Sequence, residues 1–314
     1  MKRIISVITV LAMVFCLFGC NANSDNAKQI NIVALKGPTG MGMSKMIADK
    51  NENYNFSVIS DPTMIASYLS GGDADIAACP LNMASVLYNK MNKDIRILAI
   101  NTLGTLYILD NSGKIKAPSD LKGKKIVTSG RGSTPEYVLN YLLESYNIKD
   151  DVEVEYKSEH SEVAAAVLSG EAEVVMLPEP NVSVVTTKNK NINIAIDVTK
   201  TIEEKNGFQF AMGCIIAKKS FTEENKKAVE KFLDEYKRSI EYINSSDEAG
   251  KIICEAGIID NESIAQKSIK TSNIVFVDGE KMKDIAQSNF TFLFNSNPKS
   301  VGGKLPDESI FYIK

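Results

Sequence analysis

Apolar and polar positions along this chain follow two rhythms. Short strand-like runs occur at 30–35, 125–128, 152–156 and 210–217, with a crossing segment over 191–196. Between them, apolar residues recur at helical spacing, over 43–49 and then at Tyr137, Val138, Tyr141 and Leu142. Further on, Val229, Phe232, Leu233, Tyr236, Ile240 and Ile243 form one continuous stripe, the pattern of a helix packed on a core. Thr222 reads as the N-cap of that helix, with Glu223 and Glu224 in its first turn. Shorter helices are predicted over 249–256, 263–269 and 279–293, followed by an extended closing segment over 297–314. Strands alternating with helices predict an α/β fold with mostly parallel sheets.

The punctuation between these elements repeats. Leu69-Ser70-Gly71-Gly72-Asp73-Ala74-Asp75-Ile76 is echoed by Leu168-Ser169-Gly170-Glu171-Ala172-Glu173-Val174. In each, a helix ends at glycine, which takes the left-handed cap, and an acid opens an apolar strand that closes on a proline, Pro80 or Pro178. A strand–loop–helix plan also recurs, once through the glycine-rich break at 37–42 and once through Ser129-Gly130-Arg131-Gly132-Ser133-Thr134. There Thr134, Pro135 and Glu136 read as N-cap, first-turn proline and first-turn acid. This matching predicts two similar lobes.

The first nineteen residues follow neither rhythm. Lys2 and Arg3 precede an unbroken apolar stretch over 4–18, too short to span a membrane comfortably and typical of an export signal. It ends in Leu17-Phe18-Gly19-Cys20, which resembles a bacterial lipobox with Phe18 in place of the usual small residue, and then turns polar. The expectation is a signal peptide over 1–19, a lipidated Cys20, and a flexible tether over 20–28. That localises the chain outside the cytoplasm, held on the bacterial membrane by its lipid.

Composition narrows the function. The 314 residues are 44% apolar with 36 basic and 39 acidic side chains, a net charge of −3, and loss of Lys2 and Arg3 makes it −5. Such a balance offers no general attraction to nucleic acid. One histidine and five cysteines without metal-ligand spacing argue against a metal site, and no cofactor is expected. Cys79, Cys214 and Cys254 are read as buried, unreactive thiols.

Ligands of open α/β sheets bind beyond the carboxyl ends of the strands. That brings residues 37–42, 60–63, 80–82, 129–134, 158–160 and 178–181 around one cleft, including Asn82, Glu159, His160 and Glu179. The glycine-rich break at 37–42 is either a ligand loop or only a tight turn, and it lacks the lysine of a nucleotide-binding loop. Arg131 is a cleft cation or a surface arginine. His160 is a ligand group, a helix cap or an exposed imidazole. Two acids beside Arg131 would suit a zwitterion, so the charge of the solute stays open.

The twin-lobe plan, the export signal, Leu-Ser-Gly-x-x-Ala-Asp and Ser119-Asp120-Leu121-Lys122-Gly123-Lys124-Lys125-Ile126 together resemble the solute-binding proteins of ABC importers. The resemblance is to the nitrate, sulfonate, taurine and thiamine-precursor binding group, with the periplasmic-binding protein type II fold, and runs from about residue 29 onward. It implies lobe one over 29–110 plus 201–314, lobe two over 111–200, and a hinge between them. It also implies that Thr39, Gly40 and Met41 on one side, and Ser129, Arg131, Gly132, Ser133 and Thr134 on the other, contact the solute. Physically, helix N-termini present unpaired N–H groups to polar or anionic ligands. The implied partners are a small-molecule solute and the permease and ATPase of the importer. An enzyme on the same fold, acting on a small heterocycle or carboxylate, and a sensor lipoprotein without transport are the alternatives.

Overall fold

The computed structural model describes residues 29–313. The expected signal over 1–19, the Cys20 lipidation site and the tether over 20–28 lie outside the described residues.

In chain order the strands are β1 (Ile30–Leu35), β2 (Tyr54–Ile59), β3 (Ile76–Pro80), β4 (Ile95–Leu103), β5 (Leu106–Asp110), β6 (Lys125–Thr128), β7 (Glu153–Tyr156), β8 (Val174–Pro178), β9 (Asn193–Asp197), β10 (Ala211–Lys218) and β11 (Ile274–Val277). They build two sheets, ordered β11-β4-β10-β3-β1-β2 and β7-β6-β8-β5-β9. The α/β, two-sheet plan is as expected, but both sheets are mixed rather than mostly parallel. β10 runs antiparallel to β3 and β4, and β5 antiparallel to β8 and β9. β10 and β5 are the first strands the chain enters after each crossing between sheets, and β11 also runs antiparallel to β4.

Each sheet is covered on both faces, which is why interior strands such as β1, β3, β5 and β8 read as continuous apolar runs, while the edge strands β2, β7 and β9 carry polar residues. Along β1, Ile32 and Ala34 face a core beneath helix Lys226–Ser245, whose predicted stripe is wholly buried. Val33 and Leu35 face the opposite core, filled by helices Leu81–Lys90 and Gly279–Ser296. The second sheet has the same three-layer build. The repeated punctuation is realised in the same way twice. Helix Ile65–Gly71 is capped by Gly72 at φ 84°, and helix His160–Ser169 by Gly170 at φ 82°.

Three local expectations change. Thr222 lies inside a separate short helix, Lys219–Glu224, where its hydroxyl bonds the Lys219 carbonyl instead of capping helix Lys226–Ser245. Ser133, not Thr134, holds the N-cap position of helix Thr134–Ser145. The closing segment is not simply extended: it makes single turns at Pro298–Val301 and Glu308–Ile310. Asp307 pins it to Lys93 and to the Tyr88 hydroxyl.

The boundary expected near Asp110 differs in position. Leu106–Asp110 already belongs to the second sheet, and the chain crosses at Gly104-Thr105. A side chain on Gly104 would lie 2.2 Å from Thr199, at the start of helix Val198–Asn206, so only glycine lets the outgoing and returning chains pack together. Residue 201, the expected start of the returning part of lobe one, lies within that helix, which buries Val198 and Ile202 in the second core.

Candidate functional site

At the carboxyl end of β3, opposite the ends of β6 and β7, the two sheets enclose a cleft of about 390 Å³. Larger hollows lie elsewhere. One of about 570 Å³ runs between helices Thr134–Ser145 and Gly279–Ser296 on the outer flank, and one of about 410 Å³ lies beside helix Lys226–Ser245. Neither sits at the carboxyl ends of strands, where this fold class presents converging polar groups.

The first-sheet wall is mostly apolar and stiff. Pro62 and Pro80 line it, with Ala211 and Met212 from the returning chain and Leu293 from the long helix. Asn82 supplies the polar edge, steadied by its amide hydrogen bond to the Ser300 carbonyl at 3.3 Å. The returning chain is held by Asn289, which is buried in the wall. Its amide donates to the Gln209 carbonyl at 2.9 Å and its carbonyl accepts from Ala211 N–H at 3.2 Å.

The second-sheet wall carries the chemistry. Ser129, at the end of β6 and 1% exposed, places its hydroxyl 2.5 Å from Nδ1 of His160, at the start of the helix after β7. Burial pushes the imidazole below its ordinary value, with Glu159 opposing more weakly, so the ring is neutral at neutral pH. With Nδ1 engaged, Nε2 is the ring nitrogen left for a ligand. Gly130, Ser133, Thr134 and Pro135 complete this wall. The Ser133 hydroxyl is spent on the Gly130 carbonyl at 2.6 Å.

This helix N-terminus is less of an anion site than its sequence suggests. Glu136, one turn in, accepts from Gly132 N–H at 2.5 Å, so a carboxylate of the helix itself already occupies part of the positive end. Arg131 is exposed, its guanidinium 5.0 Å from the centre of the Tyr156 ring. Burial, then Glu136, pushes the Tyr156 phenol up to about 12. None of the residues lining the cleft is an acid, a lysine or an arginine.

Of the residues singled out from the sequence, the structure brings Asn82, Ser133, Thr134 and His160 together on the cleft, with Ser129 directly behind His160. Arg131 and Gly132 lie exposed beside it. Thr39, Gly40 and Met41 are placed elsewhere. Met41 is wholly buried in the first core, and a side chain on Gly40 would lie 1.8 Å from the Leu35 carbonyl oxygen. Thr39 uses its carbonyl to accept from Asn101 at 2.8 Å. Glu159 is exposed at the N-cap, where its N–H bonds Glu162.

Glu179 is 3% exposed and joins the lobes away from the cleft. It accepts from Ser183 N–H and hydroxyl at 3.1 and 2.9 Å, and from the Thr271 hydroxyl, which belongs to the segment leading into β11. Burial raises its carboxyl above the usual range against these hydrogen bonds and the nearby Lys267. The same seam carries Tyr107 hydroxyl to Thr271 carbonyl at 2.8 Å and Lys267 to Thr186 at 2.6 Å.

Pro62, Pro80 and Gly130 fall in windows that strand-end reasoning marked. Phe210, Ala211, Met212, Asn289 and Leu293 do not. They come from the entry to an antiparallel strand and the C-terminal half of a helix, and no local pattern marks either as part of a site. Among the described residues, no group of His, Cys, Asp and Glu could hold a metal ion, and no helix is long and apolar enough to cross a membrane.

The NMT1/THI5-like family model matches residues 60–249. No curated protein matches the chain. Among solved structures, the chain is similar to an ABC transporter from Parabacteroides distasonis, at 23% identity and a TM-score of 0.79, covering 91% of this chain and 99% of that one. It is also similar to the periplasmic aliphatic sulphonate binding protein SsuA from Escherichia coli, at 16% identity and a TM-score of 0.68, covering 89% and 92%. A third is the putative periplasmic sulfonate-binding protein SsuA from Methylobacillus flagellatus, at 15% identity and a TM-score of 0.66, covering 91% and 92%.

Proposed function

The chain belongs to the NMT1/THI5-like family, and from that premise we propose that it is the extracytoplasmic solute-binding component of an ABC importer, tethered by lipid at Cys20. It closes on a compact, uncharged polar solute and presents it to the permease and ATPase. The observation that carries this reading is the cleft of about 390 Å³ lined from both sheets, with no ionised side chain on its walls. The volume suits a small molecule. His160 Nε2, the Thr134 hydroxyl and the Asn82 side chain are the polar groups that orient the solute; Pro62, Pro80, Pro135 and Met212 flank its apolar faces. Anion capture at Arg131 is set aside, because that side chain stacks on Tyr156 and Glu136 already holds the helix end.

Closure follows from geometry. The lobes are joined by two adjacent chain crossings at Gly104-Thr105 and at 207–210, and walls contributed from both sides can grip a ligand together only when the lobes approach. Binding shifts the population toward the closed form by no more than the solute's differential affinity for the two forms. Ser129 and His160 have the hydrogen bond that an acyl-transfer enzyme would need, but Ser129 is buried, 1% exposed, and out of a substrate's reach.

Purified protein is denatured and the released small molecules are identified by mass spectrometry, then titrated back by calorimetry with scattering to follow compaction. One uncharged compound, bound one to one and recovered unchanged with compaction, is the expected result. Chemical conversion of the compound would identify an enzyme, and an anionic ligand would overturn the solute class. The anchor is checked separately by intact mass and detergent partitioning, which should show acylation at Cys20.

A further inference from the structure

Nothing in the sequence relates Cys79 on β3 to Cys214 on β10, yet they are register partners in an antiparallel pair. Both are wholly buried on one face of the first sheet and both are free, the Cys79 thiol bonding the carbonyl of its neighbour Pro80 at 3.3 Å. Directly opposed residues of such a pair have Cα atoms about 4.5–5.5 Å apart. A disulfide spans about 4.4–6.8 Å. Cys254, the third thiol among the described residues, is on helix Ala249–Glu255, whose Ala249 and Ile253 pack in the core on the opposite face.

We propose that Cys79 and Cys214 form a cross-strand disulfide when the chain folds under oxidising conditions, stapling together the two separate chain segments of the first sheet. That sheet is discontinuous: β1 to β4 come from one segment and β10 and β11 from another, with the whole second sheet between them. Only non-covalent contacts, strand pairing together with helix packing and the Asp307 contacts, hold the segments together while the thiols are free. The bond would enclose the entire second sheet in one loop, and long loops lose the most unfolded-state entropy on closure. It would also brace the cleft, since Pro80 follows Cys79 and Met212 lies two residues before Cys214.

The oxidant is a low-molecular-weight disulfide such as glutathione disulfide. One protein thiolate attacks a glutathione sulfur and expels a glutathione thiolate. The second protein thiolate then attacks the mixed disulfide and expels the other, so the protein is oxidised by two electrons and the two thiol protons end on two molecules of glutathione. Burial pushes the Cys79 thiol well above its ordinary range. Exchange therefore belongs to the folding chain, before the strands close.

The full chain is unfolded, reduced, and refolded either with glutathione disulfide or with reduced glutathione alone. The expected result is a non-reducing digest containing a peptide linked between Cys79 and Cys214, with a Tm about 5–10 °C higher than that of the reduced protein. A double Cys79→Ala, Cys214→Ala variant should lose the redox dependence of Tm. Absence of the linked peptide, or either cysteine joined instead to Cys254, Cys16, Cys20 or glutathione, would overturn the proposal, as would a linked protein with unchanged Tm. The peptide map needs no variant, so it decides the matter even if the double variant fails to fold.

Discussion

Two glycine-bearing loops follow the first strand of each lobe's repeated plan, and they do opposite things. The loop at 37–42 is sunk into the protein. Gly40 lies against the Leu35 carbonyl, Gly42 against Tyr236 and Ile240, and Met41 and Met43 are both 0% exposed. The loop at 129–134 stands open, with nothing within 4 Å of a side chain added at Gly132. Both have glycines and lead into a helix, with Pro38 inside the first, which itself coils into the turn Pro38–Met41, and Pro135 just after the second. The difference lies in the next apolar residues: two methionines draw the first loop inward beneath helix Lys226–Ser245, whereas Arg131, Ser133 and Thr134 keep the second at the surface. Gly40 and Gly42 permit close packing of backbone, and Gly132 permits positive φ at an open rim.

Exchange of glycine for alanine is the strongest way to break this comparison. Gly40→Ala must move backbone and should cost about 2–4 kcal/mol of stability. Gly132→Ala meets no atom, and only its φ of 76° resists, for about 1 kcal/mol. Equal losses of Tm in the two variants would erase the distinction between buried and open loop.

Within the open loop's wall, His160→Ala removes the free ring nitrogen and should weaken the solute about ten- to a hundredfold by calorimetry. The same residue sets a pH dependence. Its folded value lies below its unfolded one, so the unfolded chain binds the extra proton, and its contribution to stability is full above about pH 6.5 and declines as pH falls below that. His160 is the chain's one histidine, so a thermal-melt series from pH 7.5 to 5.5 should lose that slope in His160→Asn. Glu179 carries the opposite sign, because burial raises its folded value and stability rises as it takes up a proton.

Across the seam between the lobes, Thr271→Val removes one donor from Glu179. The closed form should be less populated, with affinity about three- to tenfold lower and a larger radius of gyration in the unliganded protein. Arg131→Ala should have the smallest effect, below about threefold in affinity, since the side chain is exposed and stacked outside the cleft. A tenfold loss there would return the arginine to the ligand.

Most of the architecture was legible because it is written in local punctuation: glycine caps at Gly72 and Gly170, prolines ending β3 and β8, and apolar runs buried on both faces. The site was legible where it follows a parallel strand, as at Asn82, Ser133, Thr134 and His160. Met212 and Leu293 were not, since they reach the cleft through tertiary packing of an antiparallel strand and a long helix. Glu179 misled because two flanking prolines mark a fixed backbone without saying what it faces. The pairing that placed Cys79 against Cys214 depends on a register 135 positions apart, which no local pattern records.

The position of β10 also dictates a timetable. It lies between β3 and β4, so the first sheet lacks an interior strand until residues 211–218 have been synthesised. All five strands of the second sheet, by contrast, are present once residue 197 has emerged. A nascent chain therefore has a stage at which one half can be complete while β3 and β4 still expose unpaired apolar edges, the kind of surface that recruits other strands. For a chain delivered from its N-terminus, the last third is the segment that ends this vulnerable interval.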